Sequence, residues 1–98
     1  MKHIVFLQEA EAEAAEATAF YNKQQENLGG RFVATIEESL VRIRFNPLLF
    51  PFVERDVRRC LVHTFPFGVL FRIVENKIIV VAIMHLKRNP TYWINRVS

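Results

Sequence analysis

Cysteine, glycine and proline are all scarce in this chain, with one Cys, three Gly and four Pro in 98 residues. The single thiol, Cys60, cannot form an internal disulfide and supplies no ligand pair for zinc. His3 and His63 do not complete a metal-ligand spacing with it, so neither a metal nor a cofactor is expected. So few Gly and Pro, with no repeat and no low-complexity tract, argue against linkers. No segment reaches 18 uninterrupted apolar residues, which excludes a membrane-spanning helix. The apolar run Ile4-Val5-Phe6-Leu7 is too short for a signal peptide, and acidic residues follow it. A reduced, cytoplasmic protein is the expectation.

Apolar side chains, by contrast, are plentiful. The chain is 51% hydrophobic with nine Phe, which excludes a disordered polymer. Its length fits one domain, residues 1–98, built as two layers around one core, and excludes a separate cofactor module. Charge is unevenly placed. Residues 1–49 hold five basic against seven acidic side chains, whereas residues 50–98 hold eight basic against three acidic ones. A basic second half favours a polyanion or an acidic protein as partner, or serves simply as a solvated surface.

The pattern along the chain predicts β-α-α-β-β-β. Residues 3–8 read as a short strand. Ala10, Ala14, Ala17, Tyr21 and Leu28 then recur at helical spacing among good helix formers, and the helix is expected to stop at Asn27-Leu28-Gly29-Gly30. Phe32, Ile36, Leu40 and Ile43 form the stripe of a second helix, which Asn46-Pro47 ends. Residues 47–56 read as a loop punctuated by Pro47 and Pro51. Three strands follow, over Val57–Thr64, Val69–Val74 and Ile78–His85, joined by connections short enough to require an antiparallel meander. Ile78–Met84 is apolar throughout, as a central strand covered on both faces would be. The fold class is therefore α+β, a helical hairpin packed on one face of a small, mostly antiparallel sheet. The other face is polar, covered by the tail over Leu86–Ser98, or given to a partner. The favoured reading leaves it open and cationic, free to grip another macromolecule.

In this order, several motifs resemble the RelE/ParE superfamily of toxins from bacterial type II toxin–antitoxin systems, the plasmid-stabilisation type. They are Leu28-Gly29-Gly30-Arg31-Phe32, Asn46-Pro47 with Pro51, Arg58-Arg59, Pro66-Phe67-Gly68-Val69-Leu70-Phe71-Arg72-Ile73, and His85-Leu86-Lys87-Arg88-Asn89-Pro90. The resemblance covers nearly the whole chain. It implies a small toxin neutralised by a cognate antitoxin. In the ParE-like branch the target is DNA gyrase and the toxin is not a nuclease; in the RelE-like branch the toxin cuts messenger RNA on the ribosome. A non-toxic, degenerate member is a third possibility.

Metal-free RNA cleavage needs a base for the 2′-OH, cations for the phosphorane and an acid for the leaving oxygen. His85, Arg88 and Tyr92 are the residues that could supply them. The phosphate-binding arginine of RelE-like nucleases falls on Gly68, which has only a backbone N–H to offer, and this favours the ParE-like reading. For binding a target or partner the candidates are Arg58, Arg59, Lys87, Arg88 and Trp93. Arg58 and Arg59 alternate across a strand, so at most one of them serves a given face. Tyr92 and Trp93 either anchor a partner or fold back to cap the sheet. Arg72, inside an apolar strand, is expected to pair with a helix Glu. The cluster of Phe50, Phe52, Phe65 and Phe67 divides between core and a surface that a partner helix covers, and Cys60 is expected to be a small buried hydrophobe.

Overall fold

The computed structural model describes residues 2–97. The chain forms β1 (His3–Phe6), α1 (Gln8–Gln24), α2 (Leu28–Phe45), β2 (Phe52–Glu54), β3 (Val57–Leu61), β4 (Phe67–Val74) and β5 (Lys77–His85). Single 3-10 turns lie at Pro47–Leu49 and Ile94–Arg96. The sheet order is β1-β5-β4-β3-β2. β1 runs parallel to β5, and the other pairings are antiparallel. The α+β class and the helical hairpin follow the pattern read from the sequence.

The segment 47–56 is not wholly a loop. Phe52–Glu54 pairs with β3 as a three-residue edge strand with an irregular register. A strand so short carries too little alternation to be read, and Pro51 at its start is tolerated because it sits at a sheet edge. The first meander strand is also shorter than expected. It ends at Leu61 rather than Thr64, which takes a left-handed φ of 74°.

The helix junction differs as well. α1 stops at Gln24, and the turn is made by Asn27 at φ 67°, a left-handed conformation that Asn tolerates better than most residues. Gly29 and Gly30 lie inside the first turn of α2. Gly29 is there for proximity: a Cβ would sit 2.5 Å from both the Asn22 side chain and the Thr18 carbonyl oxygen of α1. The Gly29 N–H donates to Asn22 Oδ1 at 2.8 Å, so the two helices touch at this point. A Cβ on Gly30 would meet nothing within 4 Å.

The helix-side core joins Phe32, Ile36 and Ile43 of α2 to Cys60, Val69, Phe71, Ile78 and Val80 of the sheet. Phe32, Phe65 and Phe67 surround Tyr21 with ring centroids 4.9–6.2 Å apart, so Phe65 and Phe67 are core while Phe52 is 58% exposed. A β-bulge explains the unbroken apolar run of β5. Leu70 faces Ala82 and Phe71 faces Val80, which leaves Val81 as the extra residue and flips the phase of the strand. Ile78, Val80 and Ile83 accordingly face the helices, and Val81, Ala82 and Met84 face away.

That second face is not open. The C-terminal segment crosses it and lays Trp93, fully buried, against Val57, Leu70, Val81, Ala82 and Met84, with Tyr92, Ile94 and Val97 packed alongside. The expectation of an uncovered cationic face is therefore overturned, because the sheet is sealed on both sides by the chain itself. An apolar strand buried on both faces demands this, since water on Val81 and Met84 would forfeit their burial energy. The Trp93 indole N–H donates to the Pro90 carbonyl at 2.8 Å, so its one polar atom is satisfied.

Three substitutions test this packing by urea unfolding. Gly30→Ala is expected to stabilise by about 0.5–1 kcal/mol through helix propensity, while Gly29→Ala destabilises by about 1–3 kcal/mol through overpacking. Trp93→Ala is expected to cost about 3–5 kcal/mol, a loss that a surface-exposed contact residue would not show.

Candidate functional site

Glu13 of α1 is the centre of a dense polar cluster among the described residues. Unlike Glu9, Glu11 and Glu16, it lies in phase with Ala10 and Ala17 on the inward face of α1, and its side chain is 15% exposed. Its Oε1 accepts the backbone N–H of Ile83 at 3.0 Å and Arg96 Nη1 at 3.0 Å. Its Oε2 accepts the Tyr92 hydroxyl at 2.5 Å and Arg96 Nη2 at 3.0 Å. Arg96 thus grips the carboxylate in a two-pronged fork, the strongest pairing geometry available to it. Arg96 Nη1 also donates to the Val81 carbonyl at 3.0 Å.

The bulge in β5 makes this cluster necessary. On the β1 side the last backbone bond is from Leu7 N–H to the Val80 carbonyl at 2.9 Å. Beyond it, the Val81 carbonyl and the Ile83 N–H have no strand to pair with, and the side chains of Arg96 and Glu13 take the place of one. A buried backbone group left unpaired would cost as much as a lost hydrogen bond.

Arg88 completes the cluster from outside. Its Nη1 lies 3.6 Å from Glu13 Oε2, and its guanidinium carbon sits 3.7 Å from the centre of the Tyr92 ring. Arg96 approaches the same ring at 5.0 Å. The Tyr92 phenol is raised above its ordinary range, first by burial and then by its hydrogen bond to Glu13 and that group's charge. Burial works against the charge of Arg96, but the Glu13 hydrogen bond and charge outweigh it and leave Arg96 raised.

The other predicted residues are dispersed. His85 accepts the Lys87 N–H on Nδ1 at 3.0 Å, stacks edge-on with Phe67 at 5.1 Å, and lines a separate groove of about 300 Å³ with Glu16, Phe20 and Tyr21. Arg58 donates to the carbonyls of Leu48 and Phe50 at 3.3 and 2.7 Å and lies 3.9 Å over the Phe52 ring. Arg59 projects from the opposite face, as strand alternation requires. Its stem runs over Gly68, where a Cβ would come within 3.1 Å of it. It lines a cavity of about 230 Å³ with Glu54, Leu70, Met84 and Thr91, and its Nε has no hydrogen-bond partner. Lys87 is exposed. Trp93, a candidate contact residue or cap, takes the second role: it folds back over the sheet and is buried. Arg72 does form an ion pair, but with Asp56 of the β2–β3 turn at 2.8 Å and not with a helix Glu. Alternation places Arg72 on the face away from the helices, where the turn is the nearer source of a carboxylate. Cys60 is buried as expected, and burial raises its thiol against the lowering effects of Arg42 and Ser39.

Residues 4–90 match the family model of the ParE toxin of the type II toxin–antitoxin system parDE. The chain belongs to the ParE toxin family. No curated protein matches it in sequence. Among solved structures it is similar to the chromosomal ParDE TA system from P. aeruginosa, at a TM-score of 0.79 and 18% identity over 89% of this chain and 98% of that one. That likeness carries the fold, two helices on a five-stranded mixed sheet. As a ParE-family toxin the chain presents no helix long and apolar enough to cross a membrane among its described residues. They also hold no cluster of three metal-ligating side chains.

The Glu13 cluster is expected to carry much of the stability of this ParE-family fold. Glu13→Ala strands Arg96 and the Ile83 N–H and should cost about 3–5 kcal/mol. Tyr92→Phe removes one hydrogen bond to a charged group, about 1–3 kcal/mol. The pH dependence has a defined sign. The unfolded phenol ionises near pH 10, whereas the folded one holds its proton to higher pH. Stability present below that point is therefore lost as pH rises past it. Urea midpoints measured from neutral to strongly alkaline pH should fall less steeply for Tyr92→Phe than for the parent chain. Tyr21, also raised by burial, keeps some of the slope.

Proposed function

We propose that this ParE-family toxin acts by binding DNA gyrase, performs no catalysis, and is neutralised by a cognate antitoxin. The observation that carries the reading is the disposition of the nuclease candidates. The Tyr92 hydroxyl and Arg88 are turned onto Glu13, while His85 lines a different groove. An acid, a base and a phosphate ligand must converge within hydrogen-bond reach of one reacting group to cleave RNA. Here the tyrosine is raised, half-buried and spent on a carboxylate. A binding mechanism needs only a fixed surface, and the tail locked by Arg96 gives the strand ends one. Arg59, Lys87 and Arg88 are the cations on that surface, and they suit an acidic patch on a protein target, whereas Arg58 points to the other face and is held by the Leu48 and Phe50 carbonyls. The positions of these cations along β3 and just past β5 put them on the half of the chain where basic residues outnumber acidic ones. An antitoxin segment that covers this surface blocks the target by occupancy.

The test is a supercoiling assay with purified gyrase and relaxed plasmid, run beside primer extension on translating ribosomes. Supercoiling is expected to stop at saturating toxin, with the messenger left intact. Arg59→Glu and Lys87→Glu should each weaken inhibition by roughly tenfold, and His85→Ala should leave it unchanged. Messenger cleavage lost on His85→Ala would replace this reading with a nuclease.

A further inference from the structure

The outer face of α2 carries apolar side chains that the fold does not use. Val41 is 64% exposed and Phe45 83% exposed, and the turn that follows adds Leu48 at 68% and Leu49 at 71%. Val33, two turns before Val41, is 40% exposed on the same side. Val41, Phe45 and Leu49 line one open groove of about 550 Å³. With Phe52 beside it, this patch exposes on the order of 600 Å² of apolar surface, at the top of the range seen on monomers and close to one side of a stable interface.

The charges on this face say what covers it. Glu37 and Arg44 are both exposed on the flank of the ridge and have no ion-pair partner among the described residues. They are two helical turns apart, about 10 Å by helix geometry, too far to pair within their own helix. In an antiparallel pair of identical helices, residues on the same flank meet when their positions are mirrored about the crossing point. A two-fold axis near Val41 places Glu37 of one copy against Arg44 of the other, and the converse, giving two equivalent ion pairs. The same axis sets Val41 on Val41, and brings Val33 of each copy to the Leu48–Leu49 turn of the other. A single helix thus supplies an apolar centre and complementary ends for its own reverse.

We infer that the occupant of this face is a second copy of the chain, docked α2 against α2 in antiparallel orientation about a two-fold axis at Val41. The surface is distinct from the Glu13 cluster and from the cations past β5, so the inference stands apart from the target reading.

Sedimentation velocity of the full chain, from low to several hundred micromolar, tests it. The mass is expected to rise toward twice the 11.5 kDa of one chain. Phe45→Glu should leave the circular dichroism spectrum intact, since the side chain is mostly in water, and should weaken self-association by roughly tenfold or more. Glu37→Arg and Arg44→Glu should each weaken it, and the double exchange should restore it. A chain that remains at 11.5 kDa throughout, an association indifferent to Phe45→Glu, or charge variants that fail to rescue each other would overturn the inference. Gyrase inhibition by a chain that stays monomeric would leave the functional reading in place and remove this one alone.

Discussion

One mostly buried carboxylate holds α1 and the segment after β5 together. Glu13 accepts a backbone N–H from β5, a phenol from the tail and both arms of Arg96. Desolvating a carboxylate is costly, and only several simultaneous donors repay it. Everything on the second face depends on this arrangement. Arg96 cannot reach the Val81 carbonyl unless the tail crosses the sheet. Once the tail crosses, Trp93 is laid over Val57, Leu70 and Met84. A fold of this size has little surplus stability, so a polar cluster that fixes the position of a core tryptophan decides whether the second core forms at all.

The bulge in β5 links these features. It lets one strand send Ile78, Val80 and Ile83 to the helices and Val81, Ala82 and Met84 to the tail. It also releases backbone groups from the ladder, which Glu13 and Arg96 then satisfy. Gly68 acts similarly on a smaller scale, because its missing side chain leaves room for the stem of Arg59. At the position where a cleaving relative is expected to keep an arginine, this chain keeps space for an arginine from the neighbouring strand.

The helices, the three long strands and their order were legible because the helices carry long periodic stripes and the strands are long apolar runs closed by turn residues. The α2 stripe of Phe32, Ile36 and Ile43 is buried as its spacing requires. Helix ends were harder: Gly29 and Gly30 look like a stop signal, but the contact that requires Gly29 is with α1, and no local pattern records it. β2 is three residues long and the bulge is one residue, both below the length at which alternation can be seen. Glu13 had a signal in its phase with Ala10 and Ala17, an acid on an apolar stripe. Its partners lie about seventy and more residues away, so the sequence named the oddity without naming the reason. Trp93 was legible only as an alternative, since an aromatic in a basic tail either anchors a partner or caps the sheet, and the apolar second face of β5 decides for the cap.

The reach of these contacts sets an order on synthesis. β1 pairs with residues 77–80, and Glu13 with residue 96. The helical hairpin emerges from the ribosome early, yet the strand beneath it and the residue that neutralises its inward acid come last. Until then α1 carries an unpaired carboxylate on its apolar side, and the sheet lacks its middle. Such long-range closure is slow and waits until residue 96 has been made. A translating host therefore holds no folded toxin until residue 96 has been added, and a product that stops before it is left without the latch that closes the fold.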